Sequence, residues 1–176
     1  MNYANIKEHD TANGTGIRVS VFVSGCSHHC KGCFNPETWD FCYGERWTEE
    51  VEDRVLKACE PSYIKGLSLL GGEPFEKANQ KDVCHLIKRF KQAYPDKDIW
   101  CYSGYLFDVD MVEGGKVWTE WTRDMLSNID FLVDGEFIEC LKNLKLKFRG
   151  SSNQRIIDVK KSLKEAKTIT IDDENI

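Results

Sequence analysis

A chain of 176 residues can bury a hydrophobic core in one domain without disulfide bridges or structural metals. Its 24 basic and 29 acidic side chains give a formal net charge of −5, and no block of five like charges occurs, which argues against nucleic acid as the main partner. The N-terminal residues contain no signal-peptide core, and no segment approaches the roughly 18 apolar residues of a membrane span. We therefore expect a cytoplasmic protein with no membrane and no nucleic-acid partner.

The hydrophobic pattern alternates between the strand and helix periods, which is typical of an α/β fold. The first strong strand is predicted over Ile17–Ser24, where valines occupy every second position up to a turn at Gly25. A cysteine-rich loop follows. Thr48 then has the chemistry of a helix N-cap, and Pro61 closes the predicted helix.

The later elements alternate in the same way. A short buried strand is predicted over Gly66–Leu70, and apolar residues at helical spacing follow it up to Pro95. The remaining elements are predicted as a strand over Ile99–Ser103, a helix over Trp118–Leu126, a strand over Ile129–Val133 and another over Leu144–Phe148. The chain is thus predicted as one domain over residues 1–159 and a polar tail over 160–176, whose acidic end is expected to be mobile.

Turns with special residues follow four of the predicted strands. They are Gly25-Cys26, Gly71-Gly72-Glu73-Pro74, Ser103-Gly104 and Asp134-Gly135. A series of right-handed βαβ units gives a parallel sheet, and the ligand site of such a sheet lies at the carboxyl ends of its strands. The four turns are therefore expected to face one crevice.

Three cysteines occupy the first of these loops. Cys26, Cys30 and Cys33 have C-x3-C-x2-C spacing, short enough for one loop to place three thiolates around one metal centre. A cubane cluster has four irons, so three protein ligands leave one iron open for a substrate or cofactor.

A zinc site is the alternative for this loop. A fourth ligand from His28, His29 or Cys42 would complete it, and the loop by itself leaves both interpretations open. Outside that alternative, both histidines are predicted to be solvated loop residues. No chemistry is assigned to the remaining cysteines, which are Cys42, Cys59, Cys84, Cys101 and Cys140.

The cysteine loop and the glycine-rich turn together resemble the motif pair of radical S-adenosylmethionine enzymes. The resemblance implies a [4Fe-4S] cluster on Cys26, Cys30 and Cys33, whose open iron is chelated by the amino and carboxylate groups of S-adenosyl-L-methionine. It also implies that the turn from Gly71 to Glu73 recognises the cofactor's amino group. Adjacent glycines allow a close backbone approach, and a carboxylate pairs with an ammonium group.

From Met1 to about Arg155 the sequence also resembles the activating proteins of anaerobic (class III) ribonucleoside-triphosphate reductases. Phe34 stands where such proteins often have tyrosine, and Thr15 stands where proline is usual. The matching pieces are Asn13-Gly14-x-Gly16-x-Arg18, Phe22-Val23-Ser24-Gly25-Cys26, Gly32-Cys33-Phe34-Asn35 with Thr38-Trp39, Gly66-Leu67-Ser68-Leu69, Asp98-Ile99-Trp100, Ser103-Gly104-Tyr105, Val133-Asp134-Gly135 and Arg149-Gly150-Ser151-Ser152-Asn153-Gln154.

The resemblance implies a partial, open (β/α) barrel of radical S-adenosylmethionine type. It places Gly32, Cys33 and Phe34 along the cofactor beside the cluster, with Gly71, Gly72 and Glu73 on its methionine side. Ser103 is either a polar contact to the cofactor or part of an ordinary turn. The segment from Arg149 to Gln154 either closes the site, docks the partner or forms a surface loop.

The resemblance further implies an oxidoreductase activity. An external one-electron reductant, such as a flavodoxin-like protein, reduces the cluster, and reductive cleavage of S-adenosylmethionine yields a 5′-deoxyadenosyl radical. This radical takes a hydrogen atom from a glycine of the reductase large subunit and leaves a glycyl radical there. A homodimer is also implied. Activation of formate lyase, modification of a small molecule, and a zinc-stabilised interaction module are the alternatives.

Overall fold

The computed structural model describes residues 1–176. A single sheet of seven strands lies at its centre, with four α-helices. The strands are β1 (Asn2–Asp10), β2 (Ile17–Val23), β3 (Glu45–Arg46), β4 (Ile64–Gly71), β5 (Asp98–Tyr102), β6 (Phe131–Asp134) and β7 (Arg155–Asp158). The helices are α1 (Glu49–Ala58), α2 (Lys77–Ala93), α3 (Thr122–Asn128) and α4 (Val159–Glu165).

The sheet is mixed, and its strand order is β3-β1-β2-β4-β5-β6-β7. Four adjacent strands, β2, β4, β5 and β6, are parallel, while β1, β3 and β7 run antiparallel to their neighbours. The predicted α/β fold is confirmed. None of the helices combines the length and the hydrophobicity that crossing a bilayer requires.

The two faces of the sheet differ in what covers them. Alternate residues of a strand point to opposite faces; on β5, Ile99 and Cys101 pack into the main core with the helices, whereas Trp100 and Tyr102 face the other way. We call the first surface the helix face and the second the open face. The open face carries Arg18, Ser20, Ser68, Trp100, Tyr102, Phe131, Val133 and Ile156.

Most predicted elements are present. The side chain of Thr48 accepts a hydrogen bond from the backbone N–H of Val51, as expected of an N-cap. The predicted helix from Trp118 begins only at Thr122, because the hydroxyl groups of Thr119 and Thr122 both donate to Oε1 of buried Gln80 and hold the preceding residues in turns.

The predicted strand over Leu144–Phe148 is wrong. This segment consists of turns and bends, Leu144 is 88% exposed, and Phe148 has a positive φ of 54°. Lysines separate its apolar residues, and only Phe148 reaches the sheet, where its ring centroid lies 5.2 Å from that of Trp100. The strand that pairs with β6 is instead β7, which was not predicted from the sequence.

Candidate functional site

One cavity at the carboxyl ends of the parallel strands is bordered by residues from all four predicted turns. This arrangement confirms the expected shared crevice. The residues that line it are Cys26, His28, Cys30, Cys33, Phe34, Asn35, Trp39, Leu70, Gly71, Gly72, Glu73, Tyr102, Ser103, Gly104, Gly135, Phe137 and Gln154.

The cysteine loop is fixed at its beginning and folds back on itself. The backbone N–H of Gly25 donates to the carbonyl of Thr38 over 2.8 Å, and that of Cys26 donates to Trp39 over 3.2 Å. Cys26 is buried, while Cys30 and Cys33 are half-buried, and all three are free thiols. No group of three or more His, Cys, Asp or Glu side chains surrounds a single-ion position.

The surroundings of the loop disfavour bare thiolates. Burial raises the pKa of Cys26 to about 12, and the nearby charge of Glu73 adds to this effect. Burial and the Glu136 carboxylate raise the pKa of Cys30 to about 11. Both groups are therefore thiols near neutral pH in the absence of a metal, and metal binding would release their protons.

The glycine-rich turn is joined to the cysteine loop through its backbone. The N–H of Gly72 donates to Val23 over 2.7 Å, and that of Glu73 donates to Gly25 over 2.9 Å. A Cβ added at Gly72 would lie 2.6 Å from the carbonyl oxygen of Gly25 and 2.9 Å from that of Thr38. Packing between two turns thus requires glycine at position 72, a reason that the sequence did not reveal.

The carboxylate of Glu73 connects the glycine-rich turn to the Ser103-Gly104 turn. The residue is 1% exposed. Its Oε1 accepts from the backbone N–H of Phe75 over 2.8 Å and from the hydroxyl of Ser103 over 2.9 Å, while Oε2 accepts from the N–H of Gly104 over 2.7 Å. Ser103 is therefore a structural partner of Glu73 as well as a cavity residue.

His28 is a site residue that sequence reasoning missed. Its side chain is only 10% exposed, and its Nε2 lies 3.4 Å from Oε2 of Glu73. Burial acts to lower the pKa of His28, but the adjacent carboxylate of Glu73 outweighs it and raises the pKa. The ring also packs 4.2 Å from that of Tyr105. The prediction of a solvated histidine is wrong at this position.

Two predicted cofactor residues occupy different surroundings. Phe34 lines the cavity with a ring that is 60% exposed and lies 5.2 Å from that of Phe137. Gly32 is not among the lining residues. A Cβ there would lie 2.9 Å from a carboxylate oxygen of Glu139, so this glycine packs against the segment that follows β6.

Of the segment from Arg149 to Gln154, only Gln154 lines the cavity. Oε1 of Gln154 accepts from the backbone N–H of Gly150 over 2.8 Å and of Ser151 over 3.1 Å, and its Nε2 donates to Gly135 over 3.0 Å. The side chain thus links this segment to the fourth turn. Closing the site was one of the three roles considered for this segment from the sequence, but the sequence did not single out Gln154.

Comparison with known proteins identifies the family of this chain. Residues 12–157 match the model of the 4Fe-4S single cluster domain. An anaerobic ribonucleoside-triphosphate reductase-activating protein of Vibrio cholerae is 43% identical over 159 residues, covering 89% of this chain and 97% of the relative. Proteins of the same name from phage T4 and Escherichia coli are each 38% identical, covering 89% and 88% of this chain and 93% and 96% of their own lengths.

The chain belongs to the 4Fe-4S single cluster domain family and, within it, to the anaerobic ribonucleoside-triphosphate reductase-activating proteins. An activating role and an iron-sulfur cluster follow from this membership.

Proposed function

We propose that this protein activates an anaerobic ribonucleoside-triphosphate reductase by reductive cleavage of S-adenosylmethionine at a [4Fe-4S] cluster. The product is a glycyl radical on the large subunit of the reductase, and the reaction takes place in the cytoplasm. The observation that carries the proposal is the convergence of three free thiols and a Gly-Gly-Glu turn on one cavity, in a chain of this family.

The donor set fits a cluster with one open iron. Cys26, Cys30 and Cys33 would each bind one iron, because soft thiolates are the usual ligands of iron-sulfur clusters. No fourth cysteine lines the cavity. When bound, the reduced cluster supplies an electron to the sulfonium of S-adenosylmethionine, and the resulting 5′-deoxyadenosyl radical takes the glycine hydrogen atom.

The remaining residues of the cavity fit a cationic cofactor with an aromatic base. The buried carboxylate of Glu73 would face its ammonium group, with the backbone of Gly71 and Gly72 beside it. The exposed ring of Phe34 offers a surface for the adenine. Ser103 would act through Glu73, since its hydroxyl already donates to that carboxylate.

A partial, open (β/α) barrel completes the proposal. The four parallel strands end at the cavity, and the strand order leaves β3 and β7 as separate edges, which supports an open side. A glycine-bearing segment of the reductase would enter there and reach the radical carbon at about 3–3.5 Å. We also propose a one-electron donor protein of flavodoxin type and a homodimer.

The decisive experiment mixes the reconstituted, reduced protein with S-adenosylmethionine and its cognate reductase in the absence of oxygen. Electron paramagnetic resonance should then detect an organic radical on the reductase, and deuterated glycine in the reductase should collapse its main hydrogen splitting. A radical that forms on formate lyase but not on the reductase would reassign the substrate. No cleavage of S-adenosylmethionine by a fully loaded, reduced protein would contradict the radical mechanism.

A further inference from the structure

The end of the chain lies across the open face of the sheet. We define the C-terminal segment as Thr168–Ile176. The N–H of Ile171 donates to the carbonyl of Ile156 over 2.8 Å, and the carbonyl of Ile169 accepts from the N–H of Asp158 over 3.0 Å, so the segment pairs antiparallel to β7. The side chains of Ile171 and Ile176 pack against the cluster of Trp100, Val133 and Ile156.

The segment runs towards the cavity. Since β7 is antiparallel to β6, Asp158 lies at the amino end of the parallel strands and Arg155 at their carboxyl end. The segment therefore rises from Ile169, opposite Asp158, to Ile171, opposite Ile156, and on towards the site.

A second set of contacts holds the C-terminal segment near the cavity. Asp173 forms an ion pair with Arg149, and its backbone carbonyl accepts from Nζ of Lys147 over 2.8 Å. Arg149 also donates to the carbonyl of Gln154 over 3.2 Å, and Gln154 lines the cavity. Tyr102 belongs both to the cavity and to the residues packed on the open-face cluster. Site and segment are thus neighbours that share residues.

The C-terminal segment lies outside the region that matches the family model. The model of the 4Fe-4S single cluster domain matches residues 12–157, so the C-terminal segment lies beyond the matched region. It covers an aromatic and apolar surface and pairs with a sheet edge, which are the two features by which an extended peptide binds a sheet.

We propose that the open face below the cavity, formed by Trp100, Phe131, Val133, Ile156 and the edge of β7, is the docking surface for an extended apolar segment of the reductase. In the free protein the C-terminal segment occupies this surface and competes with the reductase for it. This inference rests on the proposed function. The reductase binds only those molecules from which the segment has left the surface. Its apparent dissociation constant is therefore the intrinsic constant divided by the fraction of such molecules.

The test compares two charge reversals in the full-length chain. Asp173→Lys removes the ion pair with Arg149 and places a third cation beside Lys147, whereas Glu174→Lys makes the same charge change at an exposed residue with no ion pair. Calorimetry with the iron-free protein and the cognate reductase measures binding independently of the cluster. Asp173→Lys should bind about three- to tenfold more tightly than the unchanged chain, while Glu174→Lys should bind like the unchanged chain.

Hydrogen exchange supplies a readout independent of the partner. The amide of Ile171 should exchange faster in Asp173→Lys than in Glu174→Lys, because the segment leaves β7 more often. Faster exchange with unchanged affinity for the reductase would overturn the competition. Weaker binding by Asp173→Lys would overturn it too, and would make the segment part of the docking surface. Absence of a glycyl radical with the unchanged chain would instead contradict the proposed function.

Discussion

The two faces of the sheet use buried groups for different purposes. The helix face packs a hydrophobic cluster of 27 buried residues, among them Leu67 and Phe90. The open face holds a fully buried Arg18, buried Ser20 and Ser68, and a small aromatic cluster around Trp100. Apolar packing dominates the helix face, whereas the buried polar groups of the open face bind one another, as Arg18 does Ser68 and Asp98.

The largest expected effect separates the cysteines of the site from those of the helix face. Cys26→Ser, Cys30→Ser and Cys33→Ser should each lose the visible absorption of the cluster after anaerobic reconstitution with iron and sulfide, because a hydroxyl is a poor substitute for a soft thiolate. Cys101→Ser should keep the absorption while losing about 1–3 kcal/mol of stability, since it buries a hydroxyl in the apolar core.

Exposed Cys140→Ser controls for thiol loss as such and should match the unchanged chain in both measurements. A requirement for any fourth cysteine would contradict the open iron on which the proposed function depends.

The second largest effect, a loss of stability, is expected at Arg18, a buried charged residue of the open face. This side chain is fully buried, donates to the hydroxyl of Ser68 over 2.8 Å and to the carbonyl of Leu67 over 2.9 Å, and forms an ion pair with Asp98. Arg18→Met should lower the free energy of unfolding by about 3–5 kcal/mol, because it leaves a largely buried carboxylate unpaired. Urea denaturation measures this loss.

Replacing both partners of that ion pair separates charge from packing. The double variant Arg18→Met with Asp98→Asn should recover part of the stability, since no unpaired charge remains. A cost below about 1 kcal/mol for Arg18→Met alone would show that the open face tolerates apolar replacement as the helix face does.

Gly72 tests how firmly the turns of the site depend on one another. Gly72→Ala should lower stability by about 1–3 kcal/mol, because its Cβ would press on the backbone of Gly25 and Thr38. The displaced cysteine loop should then lose iron as well as cofactor affinity. Gly114→Asn, at a positive φ with open space around it, is the matched control and should retain full iron content. Normal iron content combined with weak S-adenosylmethionine binding in Gly72→Ala would instead assign Gly72 to the cofactor alone.

The smallest expected effect concerns an ion-pair group away from the site. Asp130 pairs with Lys91 and Lys160 and accepts from the N–H of Ile99 over 2.8 Å. Burial acts to raise the pKa of Asp130, but these partners outweigh it and lower the pKa. The stabilisation is therefore present above the unfolded-state pKa of about 3.9 and is lost as the pH falls through the lower folded-state value.

Asp130→Asn should cost about 1–2 kcal/mol at neutral pH and flatten the loss of stability below about pH 4. Thermal unfolding across pH measures both. If the stability of Asp130→Asn falls with pH as steeply as that of the unchanged chain, Asp130 contributes no pH-dependent stability. Asp172→Asn, at an exposed position, is the control variant.

The sequence predicted the elements whose patterns are local. The valines of β2, the N-cap at Thr48 and the apolar spacing of α2 all depend on neighbours within a few residues, and the structure contains them. The segment from Leu144 to Phe148 was predicted wrongly because its alternation of apolar residues and lysines has no strand to pair with. Pairing partners lie far along the chain, and β7 took the place beside β6.

The distinction between local sequence patterns and contacts of distant residues applies to the site as well. The sequence by itself determined the three-cysteine spacing, the Gly-Gly-Glu turn and the family, because these are contiguous patterns of residue chemistry. Only the tertiary structure decided that Glu73 binds Ser103 and Gly104, that His28 is buried against Glu73, and that the C-terminal segment covers the open face. These contacts join residues that are distant in the chain, and only packing of the folded sheet brings them together.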